Sequence, residues 1–373
     1  MTRGGRCGWG ILGTGKIARI MALALRDSAA GRLVAVASRS ASRAERFASE
    51  FGAARHYSGY ASLMDDPDVE IVYVATHHPG HREWAVAAAE AGKHILCEKP
   101  LAVTAASAAE IIEAARRNGV FLMEAFAYRC HPQTSRLVDI IRGGVIGKVR
   151  MVDASFGYDA GPEPGNYLLV RALGGGSILD VGCYTTSMAH LIAAAASGAA
   201  LVANVDVAGV AHIGRATGVD HYAAAVLSFA GDIVARVASA IQVNLDSSLR
   251  IYGSAGTISV PSPWLPGRGG APSAIIIDRA GSSREEIRSD PVADLYVLEV
   301  DAVSRLVREG RRSHPLMEWG ESLENLRTLD GWRESVGLAY EADKRRAGHG
   351  RWAAARREAA DRGAADRGAA GGP

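Results

Sequence analysis

The sequence WGILGTGKIA at residues 9–18 combines an apolar run, two glycines and the start of a helical pattern. The apolar run predicts a buried β-strand, and the residues after it predict a helix. Gly13 permits a tight turn, Gly15 lets the backbone approach an anion, and Ala18 lets the helix pack closely on the strand. The stretch predicts an α/β fold with an anion-binding turn, although an ordinary strand–turn–helix has the same spacing.

Composition and charge exclude several classes of protein. The chain has 373 residues, which suits two domains, and its formal net charge of +2 gives no reason to expect a nucleic-acid partner. No apolar run approaches the ~20 residues that span a bilayer, and the first residues make a poor signal peptide. The four cysteines are scattered, without metal-ligand spacing or a disulfide framework. These features predict a cytoplasmic protein that binds no metal and no membrane.

The first third of the chain alternates strand and helix patterns. Strands are predicted at residues 7–12, 33–38, 71–75, 94–97 and 121–124, and helices at residues 16–27, 42–51, 60–64, 81–91 and 105–117. Such alternation is typical of a parallel sheet with helices on both faces. Residues 1–127 are therefore predicted to form a Rossmann domain that binds a dinucleotide.

Consecutive strands follow after residue 142. They are predicted at residues 149–158, 202–213, 221–229, 234–243, 249–253 and 257–260, with helices at 177–196, 295–309 and 320–342. We expect residues 128–345 to form an α+β domain with a large, mostly antiparallel open sheet, which binds substrate and joins subunits. Apolar residues on the outer face of that sheet favour a homodimer or homotetramer. The low-complexity tail at residues 346–373 is predicted to be disordered.

The end of the second predicted strand bears on the choice of cofactor. An acidic residue there, about 20 residues after the glycines, would bind the ribose 2′-hydroxyl of NAD. This chain has Ser38 and Arg39 instead, followed by Arg43, and two arginines four residues apart can bracket one phosphate. These residues favour NADP over NAD. The alternative is a solvated basic start of a helix.

A lysine and an Asp/Tyr pair are the candidates for catalysis. Lys99 follows an apolar strand, so its amine lies at the carboxyl edge of the sheet, where ligands bind. Asp180 and Tyr184 lie one helical turn apart and can face one pocket. Burial beside the nicotinamide is expected to lower the pKa of Lys99, and Lys99 to lower that of a neighbouring phenol. Each residue alone is better explained as a surface lysine, a helix cap or a core tyrosine, but together they favour an oxidoreductase site.

Further motifs extend this pattern over both predicted domains. They are GTGKIA at residues 13–18, Thr76 with His78 and His81, Glu98-Lys99-Pro100, Glu124-Ala125-Phe126, Tyr128-Arg129-Cys130-His131-Pro132, and Gly174-Gly175-Gly176 leading to Asp180 and Tyr184. With these motifs, the chain from Arg6 to about Tyr340 resembles the glucose-fructose oxidoreductase/inositol dehydrogenase (Gfo/Idh/MocA) family. Its Asp/Tyr pair resembles the branch of dimeric dihydrodiol dehydrogenase, NADP-dependent xylose dehydrogenase and sugar 3-ketoreductases.

The resemblance implies roles for individual residues. Tyr184 would exchange a proton with the substrate oxygen, Lys99 would tune and orient it, and Asp180 would hold the lysine and a substrate hydroxyl. The cofactor would contact Gly13, Thr14, Gly15, Lys16, Ile17, Ser38, Arg39, Arg43, Thr76, His78, His81, Glu98 and Lys99. The substrate would contact Arg129, His131, Tyr158, Asp180 and Tyr184. In this family the peptide before the proline at Pro100 is often cis.

The activity that the resemblance implies is NADP(H)-dependent hydride transfer to or from a carbinol or carbonyl carbon of a sugar, ketosugar or cyclitol. trans-Dihydrodiol and D-xylose 1-dehydrogenase are alternatives, and a dinucleotide-sensing regulatory protein is the alternative that is not an enzyme. Two departures from the family pattern affect the pocket. His77 replaces a usual proline, and residues 166–171 read NYLLVR where many sugar-oxidising relatives carry an Arg and an Asp-Pro. The resemblance therefore does not identify the substrate.

Overall fold

Two sheets contain the strands of the residues that the structure describes, one with six strands and one with eight. The structure is a computed structural model that describes residues 5–161, 165–268, 272–279, 281, 283–289 and 293–341. The predicted fold class is confirmed, because a Rossmann-type parallel sheet is followed by a larger, mostly antiparallel one. The domain boundary between residues 127 and 128 stays a prediction. It falls at a short 3₁₀ turn, Ala127–Cys130.

The first part of the chain alternates strands and helices as predicted. The elements are β1 (Cys7–Leu12), α1 (Lys16–Asp27), β2 (Gly31–Ser38), α2 (Ala41–Phe51), β3 (Arg55–Ser58), α3 (Ala61–Met64), β4 (Ile71–Val74), α4 (His78–Glu90), β5 (His94–Cys97), α5 (Ala105–Asn118) and β6 (Leu122–Glu124). The strands pair in parallel, in the order β3-β2-β1-β4-β5-β6. The order reverses between β1 and β4, and their carboxyl ends border the crevice where such sheets bind ligands.

The second part of the chain builds the larger sheet. Its elements are α6 (Pro132–Arg142), β7 (Val149–Gly157), α7 (Cys183–Ser197), β8 (Asp206–Ile213), β9 (Asp220–Phe229), β10 (Ile233–Ala240), β11 (Leu249–Gly253), β12 (Gly256–Val260), β13 (Ser273–Arg279), β14 (Glu285–Ser289), α8 (Leu295–Arg308) and α9 (Trp319–Ser335). The strand order is β14-β13-β12-β11-β7-β10-β9-β8. The β7–β10 pair is parallel, and the other pairs between these strands are antiparallel.

Helix α7 lies in the core, against β7 and β10 of the larger sheet. Together with the turns before it, the helical stretch Arg171–Ser197 is long and apolar enough to cross a membrane by length and composition. However, 94% of its most apolar window is buried inside the protein. A helix that is apolar on all its faces is typical of a protein core, where other elements pack around the helix on every side.

The C-terminal helices pack against the first sheet and its helices. Helix α8 contacts α1 and β2, while α9 contacts α5 and β6 as well as α7. Trp9 of β1 donates its indole N–H to the Ser304 hydroxyl of α8 over 3.1 Å. Leu326, Leu329 and Trp332 of α9 are fully buried, as their helical spacing predicts. Helices α8 and α9 therefore connect the first sheet to the second part of the chain.

The sequence does not predict β3, α6, β13 or β14. Strands β3 and β14 form edges of their sheets, and their sequences RHYS and EEIRS are polar because edge strands face solvent. Polar edge strands lack the apolar alternation on which strand prediction depends. Helix α6 has a usable local signal, since Pro132 occupies a position at the helix start where proline is favoured.

Two predicted helices differ from the structure at their ends. The helix predicted at residues 177–196 begins with a π-helical turn, Ile178–Gly182, before α7 starts. The last helix ends at Ser335 rather than residue 342, because Gly337 adopts a φ of +69° and the Leu338 N–H bonds back to the Arg333 carbonyl over 2.9 Å. The predicted tail at residues 346–373 lies outside the described residues.

Candidate active site

A cavity of about 1540 Å³ lies at the carboxyl edge of the first sheet. Its walls include the β1–α1 turn, the end of β2, the loops after β4 and β5, and residues 158–160 and 165–168 of the second part of the chain. Every residue predicted to contact a cofactor lies on this wall. Of the predicted substrate contacts, Tyr158 and Tyr184 line it, and Asp180 bonds to two lining residues.

The β1–α1 turn has the shape required to hold a pyrophosphate. Gly13 adopts a φ of +113°, and a Cβ there would lie 2.6 Å from the Ala75 carbonyl oxygen, so the turn requires glycine. A Cβ on Gly15 would meet open space, which leaves the backbone accessible to a ligand. No side chain caps the N-terminus of α1, and its first turn carries no acidic residue. Its N–H groups and partial positive charge therefore face the cavity available for phosphates.

The end of β2 supplies positive charge at the same cavity. Ser38 is buried and its hydroxyl accepts the Ser40 N–H over 3.3 Å, while Ser40 caps α2. Arg39 and Arg43 line the cavity with exposed side chains. Within the described part of the chain, neither guanidinium forms an ion pair or a hydrogen bond. Two cations without a protein counter-charge fit the 2′-phosphate of NADP.

Two buried histidines connect the loops around the cavity. His78 bonds through Nδ1 to the Gly174 carbonyl over 2.8 Å, and His81 lies between the Pro100 and Thr76 carbonyls at 2.9 and 3.0 Å. Burial lowers the pKa of His78 to about 3 and that of His81 to about 4. Burial thus disfavours the charged form of both rings, although a neutral His81 has a single N–H and can donate to only one of its two carbonyls. Their contacts show that they position the backbone as well as line the cavity.

Lys99 and Asp180 form the centre of the site. The Lys99–Pro100 peptide is cis. The Lys99 ammonium donates to the Asp180 backbone carbonyl over 2.7 Å and lies 3.2 Å from its carboxylate Oδ1. The other carboxylate oxygen accepts the Tyr158 hydroxyl over 2.6 Å. The π-helical turn thus presents both the carbonyl and the carboxylate of Asp180 to groups from other elements.

The Lys99–Asp180 pair changes the expected protonation of Lys99. Burial alone disfavours the ammonium, but the Asp180 carboxylate, with Tyr184 and Cys183 nearby, holds the pKa of Lys99 well above its ordinary value. Burial likewise disfavours the Asp180 carboxylate, yet Lys99 and the Tyr158 hydroxyl keep its pKa below the usual range. The predicted lowering of the Lys99 pKa is therefore wrong for the protein alone, because that prediction weighed burial beside the nicotinamide and left out the charge of the Asp180 carboxylate.

Tyr184 is placed by an aromatic cluster rather than by a hydrogen bond to Lys99. The Lys99 ammonium lies 5.0 Å from the centre of the Tyr184 ring. Phe126, Phe156 and Trp264 surround that ring, with centroid separations of 5.1, 5.3 and 6.2 Å. Burial raises the pKa of Tyr184 well above its ordinary value, and Lys99 only partly opposes this. A Tyr184 pKa below about 10, as predicted, is thus wrong for the protein alone.

Glu98 is buried beside the catalytic candidates. It accepts a hydrogen bond from the Tyr73 hydroxyl and another from the Lys99 backbone N–H, at 3.2 Å. Burial raises the pKa of Glu98, although Lys99 acts against this rise. Glu98, Lys99 and Tyr296 all line the cavity. The sequence does not predict a role for Tyr296, because it lies on α8, nearly two hundred residues after Lys99.

Arg129 and His131 do not reach the cavity wall. The Arg129 guanidinium is 1% exposed and pairs with Glu321 at 3.1 Å, while other N–H groups donate to the Leu316 and Ser187 carbonyls. His131 is buried and caps α6 by accepting the Gln133 N–H over 3.0 Å. The protein itself occupies the Arg129 guanidinium and Nδ1 of His131, and contact of either residue with a substrate stays a prediction.

The cavity also contains residues that the motifs do not reveal. They are contributed by the segment after β3 and by α4, and include Tyr60 and Trp84. Asn166, Tyr167 and Leu168, from the segment that the resemblance places at the pocket, line the cavity as well. Tyr60 and Trp84 pack edge to face with centroids 5.0 Å apart, near the arginines of the β2 end. Tyr167 packs against His77 at 5.4 Å. The local sequence signal for Tyr60 and Trp84 was only an aromatic residue in a loop or on a helix.

Known proteins match this chain along most of its length. A model described as an oxidoreductase family with an NAD-binding Rossmann fold matches residues 7–126, and the GFO/IDH/MocA C-terminal domain matches residues 134–259. A trans-1,2-dihydrobenzene-1,2-diol dehydrogenase from Mus musculus is 31% identical over 90% of this chain and 99% of its own. An uncharacterized oxidoreductase from Rhizobium meliloti is 32% identical over 88% of this chain and 96% of its own.

Solved structures with the same fold contain ligands. A 3-ketoreductase from Actinomadura kijaniata, in complex with NADP and TDP-benzene, is 28% identical, with a TM-score of 0.79 over 89% of this chain and 98% of its own. An aldose-aldose oxidoreductase from Caulobacter crescentus, complexed with glycerol, is also 28% identical, with a TM-score of 0.76 over 89% of this chain and 98% of its own. The similarity therefore spans both sheets.

Proposed function

Because the chain belongs to the Gfo/Idh/MocA oxidoreductase family, we propose that it transfers hydride between NADP(H) and a carbinol or carbonyl carbon of a sugar, ketosugar or cyclitol. One observation carries the proposal. A single cavity is lined by the β1–α1 turn and the two arginines of the β2 end, and also by Lys99 and Tyr184. A bound dinucleotide and a reacting carbon can therefore share one cavity.

Different residues on the cavity wall would bind different parts of the dinucleotide. We assign the pyrophosphate to the N-terminus of α1 and the 2′-phosphate to Arg39 and Arg43, which have no counter-charge among the described residues. When bound, NADP(H) supplies or accepts the hydride. The related 3-ketoreductase was solved with NADP, which supports the same cofactor here. Four free cysteines fit the reducing cytoplasm, which we propose as the location.

Tyr184 is the proposed acid or base for the substrate oxygen. Its raised pKa keeps the phenol protonated near pH 7, in the form that donates a proton to a carbonyl during reduction. The Lys99 ammonium lies over the ring and stabilises the phenolate that remains. Asp180 keeps this ammonium charged and in place, while Tyr158 fixes the orientation of Asp180. Tyr184, Lys99 and Asp180 thus form one proton-transfer unit, which Tyr158 helps to orient.

A trans-dihydrodiol dehydrogenase is the second candidate. Curated relatives of that name match this chain, and the ring of Tyr184 lies among Phe126, Phe156 and Trp264. Tyr158, Tyr167 and Tyr184 themselves line the cavity, and such aromatic walls suit a planar apolar substrate as well as the apolar face of a sugar ring. D-xylose remains a candidate aldose within the first proposal.

A substrate screen with both cofactors tests the function. Aldoses including D-xylose, inositols, 3-ketosugars and a trans-dihydrodiol would be assayed in both directions by NADPH and NADH absorbance. We expect turnover with a sugar, ketosugar or cyclitol and preference for NADP(H). Turnover of the dihydrodiol alone would support the second candidate. Enhanced NADPH fluorescence without oxidation by any substrate would contradict both and favour a dinucleotide sensor.

Changing Arg39 to Asp should reverse the cofactor preference. The substitution removes a charge-assisted contact to the 2′-phosphate and adds repulsion, whereas an acidic residue there can accept the ribose hydroxyls of NAD(H). We expect weaker NADPH binding and relatively stronger NADH binding by fluorescence titration. Arg46→Asp makes the same charge change on α2, at an exposed position outside the cavity wall, and should alter neither affinity much. Equal affinity of the wild type for NADPH and NADH would contradict the assignment.

The outer face of the larger sheet should join two copies of the chain. Val210, Val226 and Tyr222 on β8 and β9 are 72%, 49% and 46% exposed, and Val234 of the adjacent β10 is 39% exposed. A monomer rarely leaves such a face in water. We expect a homodimer or homotetramer by light scattering at micromolar concentration, and a smaller species for Val226→Glu. A wild type that stays monomeric would contradict this proposal.

A further inference from the structure

The segment after α9, residues 336–340, packs beside the loop that contains Lys99 and beside the π-helical turn that contains Asp180. We call it the C-terminal strap. Leu338 and Tyr340 are 5% and 3% exposed and form a separate apolar cluster with Val103, Leu179 and Val219. Val103 lies four residues after Lys99, and Leu179 immediately precedes Asp180. The strap therefore packs against the chain next to each member of the Lys99–Asp180 pair.

Polar contacts attach the strap to the glycine loop before the π-helical turn. The Tyr340 hydroxyl donates to the Gly175 carbonyl. A Cβ on Gly176, whose φ is +114°, would lie 2.9 Å from that hydroxyl, so glycine is required for the approach. Arg171 donates from Nε to the Ala339 carbonyl over 3.0 Å. The Gly176 carbonyl in turn accepts the Asp180 N–H over 3.1 Å, which connects the loop directly to Asp180.

The end of α9 contacts the loop that follows Lys99. Arg333 donates to the Val103 carbonyl over 3.2 Å, and its guanidinium lies 5.2 Å from the centre of the Tyr340 ring. Asp330 accepts the Ala105 N–H over 2.9 Å. Arg333 thus touches both the loop from the first sheet and the strap. One continuous stretch of chain, residues 330–340, therefore contacts both the loop after Lys99 and the glycine loop before the π-helical turn.

We propose that the C-terminal strap is a positioning element that holds the π-helical turn against the Lys99 loop, with Tyr340 as its main anchor. The inference rests on the proposed function, because it assigns catalysis to the Lys99–Asp180 pair. That pair joins residues 81 positions apart through a 2.7 Å hydrogen bond. Its geometry therefore depends on the two loops keeping their position relative to each other. Misplacing such groups by about 1 Å costs up to about 10²-fold in rate.

Three variants test the strap. Tyr340→Ala removes the ring and the hydroxyl, Tyr340→Phe removes only the hydroxyl, and Glu334→Ala changes an exposed residue at the end of α9 as a control. We expect kcat to fall by roughly 10- to 100-fold in Tyr340→Ala and by less in Tyr340→Phe, with NADPH affinity unchanged, because the strap does not line the cavity. Glu334→Ala should behave as the wild type.

Hydrogen exchange provides a second measurement that does not depend on turnover. In Tyr340→Ala, we expect faster exchange for the amides of residues 176–183 and unchanged exchange for α1. Unchanged exchange at residues 176–183, or an equal increase throughout the protein, would overturn the proposal. So would a normal kcat per folded molecule in Tyr340→Ala. If the wild type turns over no substrate, the proposed function fails, while the exchange measurement still decides whether the strap holds the turn.

Discussion

Tyr184→Phe should reduce turnover by roughly 10²–10⁴-fold, the range expected when a general acid or base is lost. Phenylalanine keeps the ring among Phe126, Phe156 and Trp264, so the cluster that positions residue 184 remains filled. The change removes only the hydroxyl that exchanges the proton. NADPH affinity should stay nearly unchanged, because the phosphate contacts lie elsewhere on the cavity wall. Steady-state kinetics on the best substrate and a fluorescence titration measure the two effects separately.

A matched control is Tyr57→Phe, which removes a phenolic hydroxyl outside the cavity wall. The Tyr57 hydroxyl bonds to Asp66 at the edge of the first sheet, and its loss should leave turnover close to that of the wild type. If Tyr184→Phe retains most of its activity, the proton-transfer role assigned to Tyr184 is wrong. Tyr158, which lines the same cavity and bonds to Asp180, would then be the next residue to test.

Lys99→Ala should cause a loss comparable to that in Tyr184→Phe. The ammonium stabilises the Tyr184 phenolate, so its removal raises the pKa of Tyr184 further. Oxidation requires the deprotonated phenol, and its rate should therefore begin to rise only at higher pH than in the wild type. Reduction requires the protonated phenol, and its alkaline limit should also move to higher pH. The pH dependence of kcat in both directions measures these shifts.

The double variant distinguishes one catalytic unit from two independent residues. Lys99→Ala combined with Tyr184→Phe should lose much less than the product of the single losses. Removing Lys99 leaves a buried Asp180 carboxylate without its ion pair, so thermal unfolding must be recorded for each variant. Lys148→Ala, at an exposed position, is the control for loss of a lysine. Losses that multiply fully would show that Lys99 and Tyr184 act separately.

Local sequence determined the elements that form the cofactor half of the site. The predicted strand at residues 7–12 and helix at 16–27 have the bounds of β1 and α1, because the apolar run and the glycine turn are continuous along the chain. Once the strands are parallel, their carboxyl ends must meet at one edge. This rule places Gly13, Arg39 and Lys99 around one cavity although the sequence separates them widely.

Local sequence was less informative where a side chain has a partner from another part of the chain. Arg129 and His131 occur in a family motif, yet Arg129 pairs with Glu321 and His131 caps α6. Nothing near Arg129 in the sequence shows that its charge is already compensated. Edge strands such as β3 were missed for a related reason, since their stability comes from pairing with a neighbour rather than from their own apolar pattern.

The sequence by itself determined the fold class, the phosphate-binding turn and the identity of Lys99, Asp180 and Tyr184 as candidates, because these follow from periodicity, glycine positions and motif spacing. The tertiary structure decided the detailed contacts of these candidates. It adds a hydrogen bond from Lys99 to the Asp180 backbone carbonyl, places Tyr184 under the ammonium within an aromatic cluster, and brings Tyr340 against the glycine loop. Protonation and alignment depend on burial and on charges brought together from distant segments, and only the packed chain creates that environment.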